Sequence, residues 1–158
     1  MGNIFAGSEV VEMGIQIEKN GRDFYSTLVD QAWDEKSRDV FKYLAGEEEK
    51  HILVFQKIMG SLDKYEPPQI YADDYIAYMK SLAGEHIFTQ ANKGAEIAKK
   101  VKSSKEAVGL GIKFEQDSIV FYEGMKKVVP DFDVKAIEEL ILQEQLHLKK
   151  LIEIKANL

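Results

Sequence analysis

Two short segments of this chain each place a glutamate three residues ahead of a histidine: Glu48-Glu49-Lys50-His51 and Glu144-Gln145-Leu146-His147. Residues three apart share one face of an α-helix, so one helical turn offers a carboxylate and an imidazole together. Each pair trails a solitary glutamate, Glu18 standing 30 residues before Glu48 and Glu115 standing 29 before Glu144. The surroundings repeat as well. Gly14-Ile15-Gln16-Ile17-Glu18 is answered by Gly111-Ile112-Lys113-Phe114-Glu115, and Phe24-Tyr25 and Phe121-Tyr122 follow with each tyrosine seven residues past its glutamate. Four carboxylates and two imidazoles in this arrangement form a ligand set for two metal ions.

The elements that carry these residues are helical. Apolar residues recur with a helical period in four long segments, and strand-like alternation is nearly absent. The first segment runs from a capping Ser8 to about Trp33, with an inward stripe of Val11, Gly14, Ile15, Glu18, Gly21, Tyr25, Leu28 and Ala32. A second runs from about Ser37 to Gly60 and turns Phe41, Leu44, Ala45, Glu48, His51, Ile52 and Phe55 inward. The third starts at Ser103 or Ser104 and ends before Pro130, carrying Val108, Gly111, Ile112, Glu115, Ser118, Ile119, Tyr122 and Met125. The fourth runs from about Asp133 almost to Leu158, with Ile137, Leu140, Ile141, Glu144, His147, Leu148 and Leu151 inward. Between the two pairs, residues 61–103 form a long connection. Pro67-Pro68 stops a helix there, Asp73-Asp74 can start a short one, and Gly84 and Gly94 are expected to break the remainder. The expectation is an all-α, ferritin-like four-helix bundle in one domain over 1–158. Two helical hairpins, 8–60 and 104–157, are joined by a crossover, 61–103, containing short helices.

On this reading Glu18, Glu48, Glu115 and Glu144 lie mid-stripe among apolar neighbours. Ionised carboxylates are rarely buried unless paired, and the stripes hold no lysine or arginine. Two divalent cations balance four negative charges, and two imidazoles complete the donor set. The run Glu47-Glu48-Glu49 leaves the donor ambiguous until the second copy is consulted, where Gln143 and Gln145 flank a single Glu144 that corresponds to Glu48. By contrast Glu9, Glu12, Glu35, Glu123, Glu138 and Glu139 fall off the stripes and read as solvated surface.

Bulk properties exclude other classes. The chain has 158 residues, 45% hydrophobic and 30% charged, as expected of an ordinary globular protein. It contains no cysteine, which excludes disulfides, zinc–cysteine sites and iron–sulfur centres within it. A net charge of −6 with interspersed lysines argues against nucleic acid as a partner, and Lys99-Lys100-Val101-Lys102 reads as a solvated helix end. No window approaches the ~18 apolar residues of a spanning helix, and Met1 to Gly7 lack the features of a signal peptide. A cytoplasmic protein without membrane contact is expected.

The stretches Tyr43-Leu44-Ala45-Gly46-Glu47-Glu48-Glu49-Lys50-His51 and Leu142-Gln143-Glu144-Gln145-Leu146-His147 resemble the second and fourth helices of rubrerythrin-type di-iron domains in the ferritin-like superfamily. The resemblance covers nearly the whole chain and implies two iron ions, with manganese as the alternative metal. It implies that Glu18 and His51 serve one ion, that Glu115 and His147 serve the other, and that Glu48 and Glu144 bridge them. It further implies an oxidoreductase that reacts with O2 or H2O2 and draws electrons from an external donor protein. An iron-binding or ferroxidase-type storage role for Fe2+ is the alternative, and a helical interaction protein with purely structural metals is a third reading. Rubrerythrins carry an extra glutamate one turn after the third-helix ligand, but here that position is Ser118, with Gly21 its counterpart in the first copy. Without a fifth helix after Leu158, a homodimer is expected rather than a shell. Tyr25 and Tyr122 are candidates for hydrogen bonds to the glutamates or a redox role, with ordinary core tyrosines as the alternative. Gly14 and Gly111 permit close helix packing or leave ligand space, packing being favoured, and His86 is expected at the surface of the crossover.

Overall fold

A computed structural model describes residues 6–65, 73–86 and 88–158. Six helices account for nearly all of them: α1 (Ala6–Gln31), α2 (Glu35–Tyr65), α3 (Asp73–Glu85), α4 (Lys93–Lys99), α5 (Ser104–Met125) and α6 (Asp131–Lys155). α1 and α2 form one hairpin and α5 and α6 the other, while α3 packs on α5 and α4 on α1. The expected bundle of two hairpins with a crossover of short helices is the architecture observed. None of the helices among the described residues is long and apolar enough to cross a membrane.

Local chemistry sets the helix starts, and it moves several expected boundaries. α1 begins at Ala6, upstream of Ser8, and ends at Gln31 rather than Trp33. α2 starts two residues before Ser37, because Asp34 is its cap. The Asp34 carboxylate accepts from the Ser37 backbone N–H at 2.7 Å, and its carbonyl accepts from Arg38 N–H at 3.1 Å, which satisfies otherwise orphaned first-turn groups. The helix then continues past Gly60 to Tyr65. Ser103 caps α5 as expected, accepting from Glu106 N–H at 3.1 Å. α6 starts directly after Pro130, with Asp131 and Asp133 in its first turn, where negative charge suits the helix dipole. Neither Gly84 nor Gly94 breaks a helix, since they lie inside α3 and α4. The Pro67-Pro68 stop falls outside the described residues.

The crossover is pinned to the bundle by a residue that no apolar stripe contains. Asn20 in α1 is 1% exposed. Its amide donates to the carbonyls of Phe88 and Gln90, each at 2.6 Å, and its side-chain oxygen accepts from Gly94 N–H at 3.0 Å. Burying an amide is tolerable only when it is bonded in this way. α4 meets α1 so closely at this point that a Cβ on Gly94 would collide with the Asn20 carbonyl. Phe88 fills the space beside them, packing on Phe24 and Phe114 with ring centroids 5.3 and 4.7 Å away. A second face of α1, with Ile17 and Phe24 fully buried, is thereby covered.

His86 departs from its expected surface position, for it is 3% exposed. Its Nδ1 accepts from Phe88 N–H at 3.2 Å, which leaves Nε2 to donate to the Ser118 hydroxyl at 3.1 Å. Burial, opposed by nearby Asp117 and reinforced by Lys113, holds its pKa down to about 4. The unfolded chain therefore takes up a proton near pH 6.5 that the folded chain refuses until about pH 4, so stability falls as pH falls across that window. Relative to a His86→Gln variant, the native chain should lose up to about 3 kcal/mol between those limits, measured by urea unfolding at a series of pH values. Gly94→Ala should cost ~1–3 kcal/mol through overpacking at the α1–α4 contact, read as a lowered urea midpoint with an unchanged slope.

Candidate metal centre

The two hairpins bring all six residues of the repeat into one cluster at the centre of the bundle. Glu18 from α1, Glu48 from α2, Glu115 from α5 and Glu144 from α6 are each 0% exposed, and His51 and His147 are each 2% exposed. The imidazoles stack across the α2–α6 contact with centroids 5.7 Å apart and planes inclined by 20°. His51 Nδ1 lies 2.7 Å from Glu144 Oε1, 3.5 Å from Glu18 Oε2 and 3.9 Å from Glu48 Oε2. His147 Nδ1 lies 3.9 Å from oxygens of both Glu48 and Glu144, and 4.0 Å from Glu115 Oε2. Two compact groups result. Glu18, Glu48, His51 and Glu144 form one, and Glu48, Glu115, Glu144 and His147 the other, with the offered atoms in each within 4.8 Å of one another. Glu48 and Glu144 belong to both.

Hydrogen bonding sorts the atoms of these side chains into two sets. Tyr122 donates to Glu18 Oε1 at 2.5 Å, and Tyr25 donates to Glu115 Oε1 at 2.9 Å. Each tyrosine therefore serves the glutamate of the opposite hairpin, not the one seven residues before it. His51 Nε2 lies 2.7 Å from Gln143 Oε1; because that amide oxygen can only accept, Nε2 carries a proton, and Nδ1 is the nitrogen left facing the carboxylates. Glu47 takes the equivalent place beyond His147, 3.7 Å from its Nε2. The remaining oxygens of Glu18 and Glu115, both oxygens of Glu48 and of Glu144, and Nδ1 of each histidine are buried without a hydrogen-bond partner. Even the 2.7 Å approach of His51 to Glu144 is not aligned as donor and acceptor.

Each buried polar atom left unpaired costs roughly 1–3 kcal/mol, and here they converge on one place. The charges are equally unbalanced. Burial raises the Glu115 pKa, and the neighbouring Glu144 raises it further. Burial would lower the pKa of His51, but Glu18 and Glu144 overcome it and push the imidazole up to about 12. His147 moves the other way, down to about 4, through burial and the positive charge of His51. Without cations the cluster has to hold protons to survive burial. The donor set, two imidazole nitrogens and six carboxylate oxygens, suits two divalent ions of the iron or manganese type, which would displace the protons the cluster otherwise holds.

The family model for rubrerythrin matches residues 9–155. The chain belongs to the rubrerythrin family. Among solved structures it is similar to a Thermotoga maritima protein provisionally described as a ferritin-like diiron-carboxylate protein. The two are 25% identical with a TM-score of 0.74, over 95% of this chain and 94% of that one. No curated protein matches. The buried carboxylate–histidine cluster and the family together fit a di-iron site.

Within the rubrerythrin family, the two positions without an extra acid are structurally committed to other uses. A Cβ on Gly21 would run into the ring of Phe114, and the Ser118 hydroxyl is held by His86. Gly111 leaves room for the Tyr25 phenol, whose oxygen would lie 3.3 Å from an added Cβ, and Gly14 makes room for Met125 and Phe55. The expectation of close packing at these glycines therefore holds. Gln143 and Glu47, which the inward stripes do not include, are the outer partners of the two histidines. Their signal was available, since each stands one residue before a doubly shared glutamate. Tyr122→Phe should strand Glu18 Oε1 and weaken binding of a divalent ion by about 10–100-fold, measured by competition with a chromogenic chelator.

Proposed function

We propose that this protein is a di-iron oxidoreductase in which Glu18 and His51 hold one iron, Glu115 and His147 hold the other, and Glu48 and Glu144 bridge the two. One observation carries the assignment. Glu18 and Glu115 each have one oxygen tied to a tyrosine and one free, whereas Glu48 and Glu144 have both oxygens free. A carboxylate with one free oxygen serves one ion, and a carboxylate with two can serve both. The family and the similarity to a protein described as a diiron-carboxylate protein support iron as the metal.

Bound iron would supply one-electron chemistry toward O2 or H2O2, with electrons returned by a separate donor protein. The chain's own residues define the setting. Tyr25 and Tyr122 are fully buried, and burial together with Glu115 and Glu18 respectively holds their phenols well above the ordinary pKa, so both remain neutral donors throughout the physiological range. The hydrogen bond from His51 to Gln143 orients the ring with Nδ1 toward the cluster. Phe55 packs on Tyr122 and Phe114 on Tyr25, with ring centroids 5.1 and 6.0 Å apart, so both phenols have apolar neighbours. With Gly21 and Ser118 committed to packing, the centre works with six ligand residues and no further carboxylate from those two positions.

Glu144→Ala should lose both irons, since a shared side chain serves both positions, while Glu18→Ala should chiefly weaken one; metal analysis after anaerobic loading with Fe2+ distinguishes the cases. Loss of a single iron from Glu144→Ala would overturn the bridging role. Stopped-flow mixing of the ferrous protein with O2 or H2O2 should give an oxidised chromophore that an added reductant discharges. Stable iron binding with no reaction toward either oxidant would remove the oxidoreductase reading and leave the binding site intact.

A further inference from the structure

The outer face of α6 carries a stripe whose chemistry is complementary to itself. Ile137, Leu140, Glu144, His147 and Leu151 point into the bundle. On the opposite side, Phe132, Leu142 and Leu146 are 64%, 57% and 58% exposed, and Lys135, Glu139, Lys149, Glu153 and Ala156 are exposed between and beyond them. These positions follow one another at alternating steps of three and four, which is the spacing of a helix–helix seam. Single exposed leucines need no explanation, but here two stand one turn apart with Phe132 on the same face, flanked by Lys135 and Glu139 on one side and Lys149 and Glu153 on the other.

Laid antiparallel on a second α6 with the two-fold axis at Glu144, every seam position meets a suitable partner. Leu142 faces Leu146 of the other copy, Glu139 faces Lys149, Lys135 faces Glu153, and Phe132 faces Ala156. The flanking Glu138 meets Lys150, which its own chain already holds over the Tyr43 ring at 4.4 Å. A slip of one heptad either way sets leucines against charges, and a slip of two heptads halves the overlap. An isologous two-fold contact requires this kind of reciprocity, in which residue i meets j and j meets i.

We infer that the outer face of α6 is the contact surface for a second copy of this chain, joined as an antiparallel α6–α6 pair centred on Glu144. Apolar contacts hold the middle and the two ends, and the charged pairs between them set orientation and register. The stripe from Phe132 to Ala156 spans roughly 36 Å at the helical rise. The two metal centres then lie back to back, each one helix thickness from the two-fold axis. None of the stripe residues belongs to the proposed ligand set, so the contact is independent of the iron assignment.

The test is sedimentation equilibrium on the full, metal-loaded chain at concentrations up to about 0.1 mM, with charge exchange across the seam. The native chain should sediment as a dimer. Glu139→Lys and Lys149→Glu each place like charges face to face twice per dimer, and each should raise the dimer Kd by at least about tenfold. The double variant, and an equimolar mixture of the two single variants, should restore it. Circular dichroism and iron content should be unchanged in all of them, because both positions are exposed and outside the cluster. A native chain that stays monomeric, or single variants that dimerise as well as the native chain, would overturn the inference and leave the stripe to a partner of another kind.

Discussion

Four carboxylates share one buried volume in this bundle, and the rest of the structure is arranged around that constraint. Each helix of the two hairpins contributes one of them, and among the described residues no lysine or arginine is buried with them. Like charges at this separation in a low-dielectric interior cannot all remain ionised unaided. The opposite displacements of His51 and His147 express the same frustration: the first imidazole to hold a proton prevents the second from doing so. Divalent cations relieve both the charge and the unpaired atoms at once, so the interior is built for ions that the polypeptide itself cannot replace.

The hydrogen bonds from tyrosine to glutamate link this electrostatic centre to the assembly of the bundle. Because Tyr25 reaches Glu115 and Tyr122 reaches Glu18, each hairpin completes the other's half of the site. Misalignment of the hairpins would strand two phenols and two carboxylates together. The aromatic rings therefore do two things, filling the core and selecting which oxygen of each solitary glutamate remains free. Gly111 belongs to the same arrangement, since a side chain there would crowd the Tyr25 phenol and Leu151.

The crossover contributes more than a connection. Asn20 anchors it to α1, and the anchored segment delivers Phe88 and His86 against Phe114 and Ser118. Those contacts consume the positions at which an additional carboxylate could stand near the cluster, Gly21 and Ser118. The departure from the usual rubrerythrin pattern at these positions is thus part of the packing of α4 and its approach loop, not a local deletion in an otherwise unchanged site.

The six clustered residues and the four long helices were legible in the sequence because both depend on periodicity. A glutamate three residues before a histidine declares its own geometry, and a charge in the middle of an apolar stripe declares a buried partner. The internal repeat added the choice of Glu48 over Glu47 and Glu49. Boundaries were less legible: Ser37 and Asp34 are both good capping residues, and only the backbone geometry distinguishes them. Contacts between distant segments left no periodic trace. Asn20 and His86 looked like ordinary polar residues because their burial comes from partners some 30 to 70 residues away. The sequence by itself therefore determined the fold class and the donor set, which follow from spacing within single helices. Only the tertiary structure decided which tyrosine serves which glutamate and what packs against Gly21 and Ser118, because those outcomes depend on how helices pack against one another.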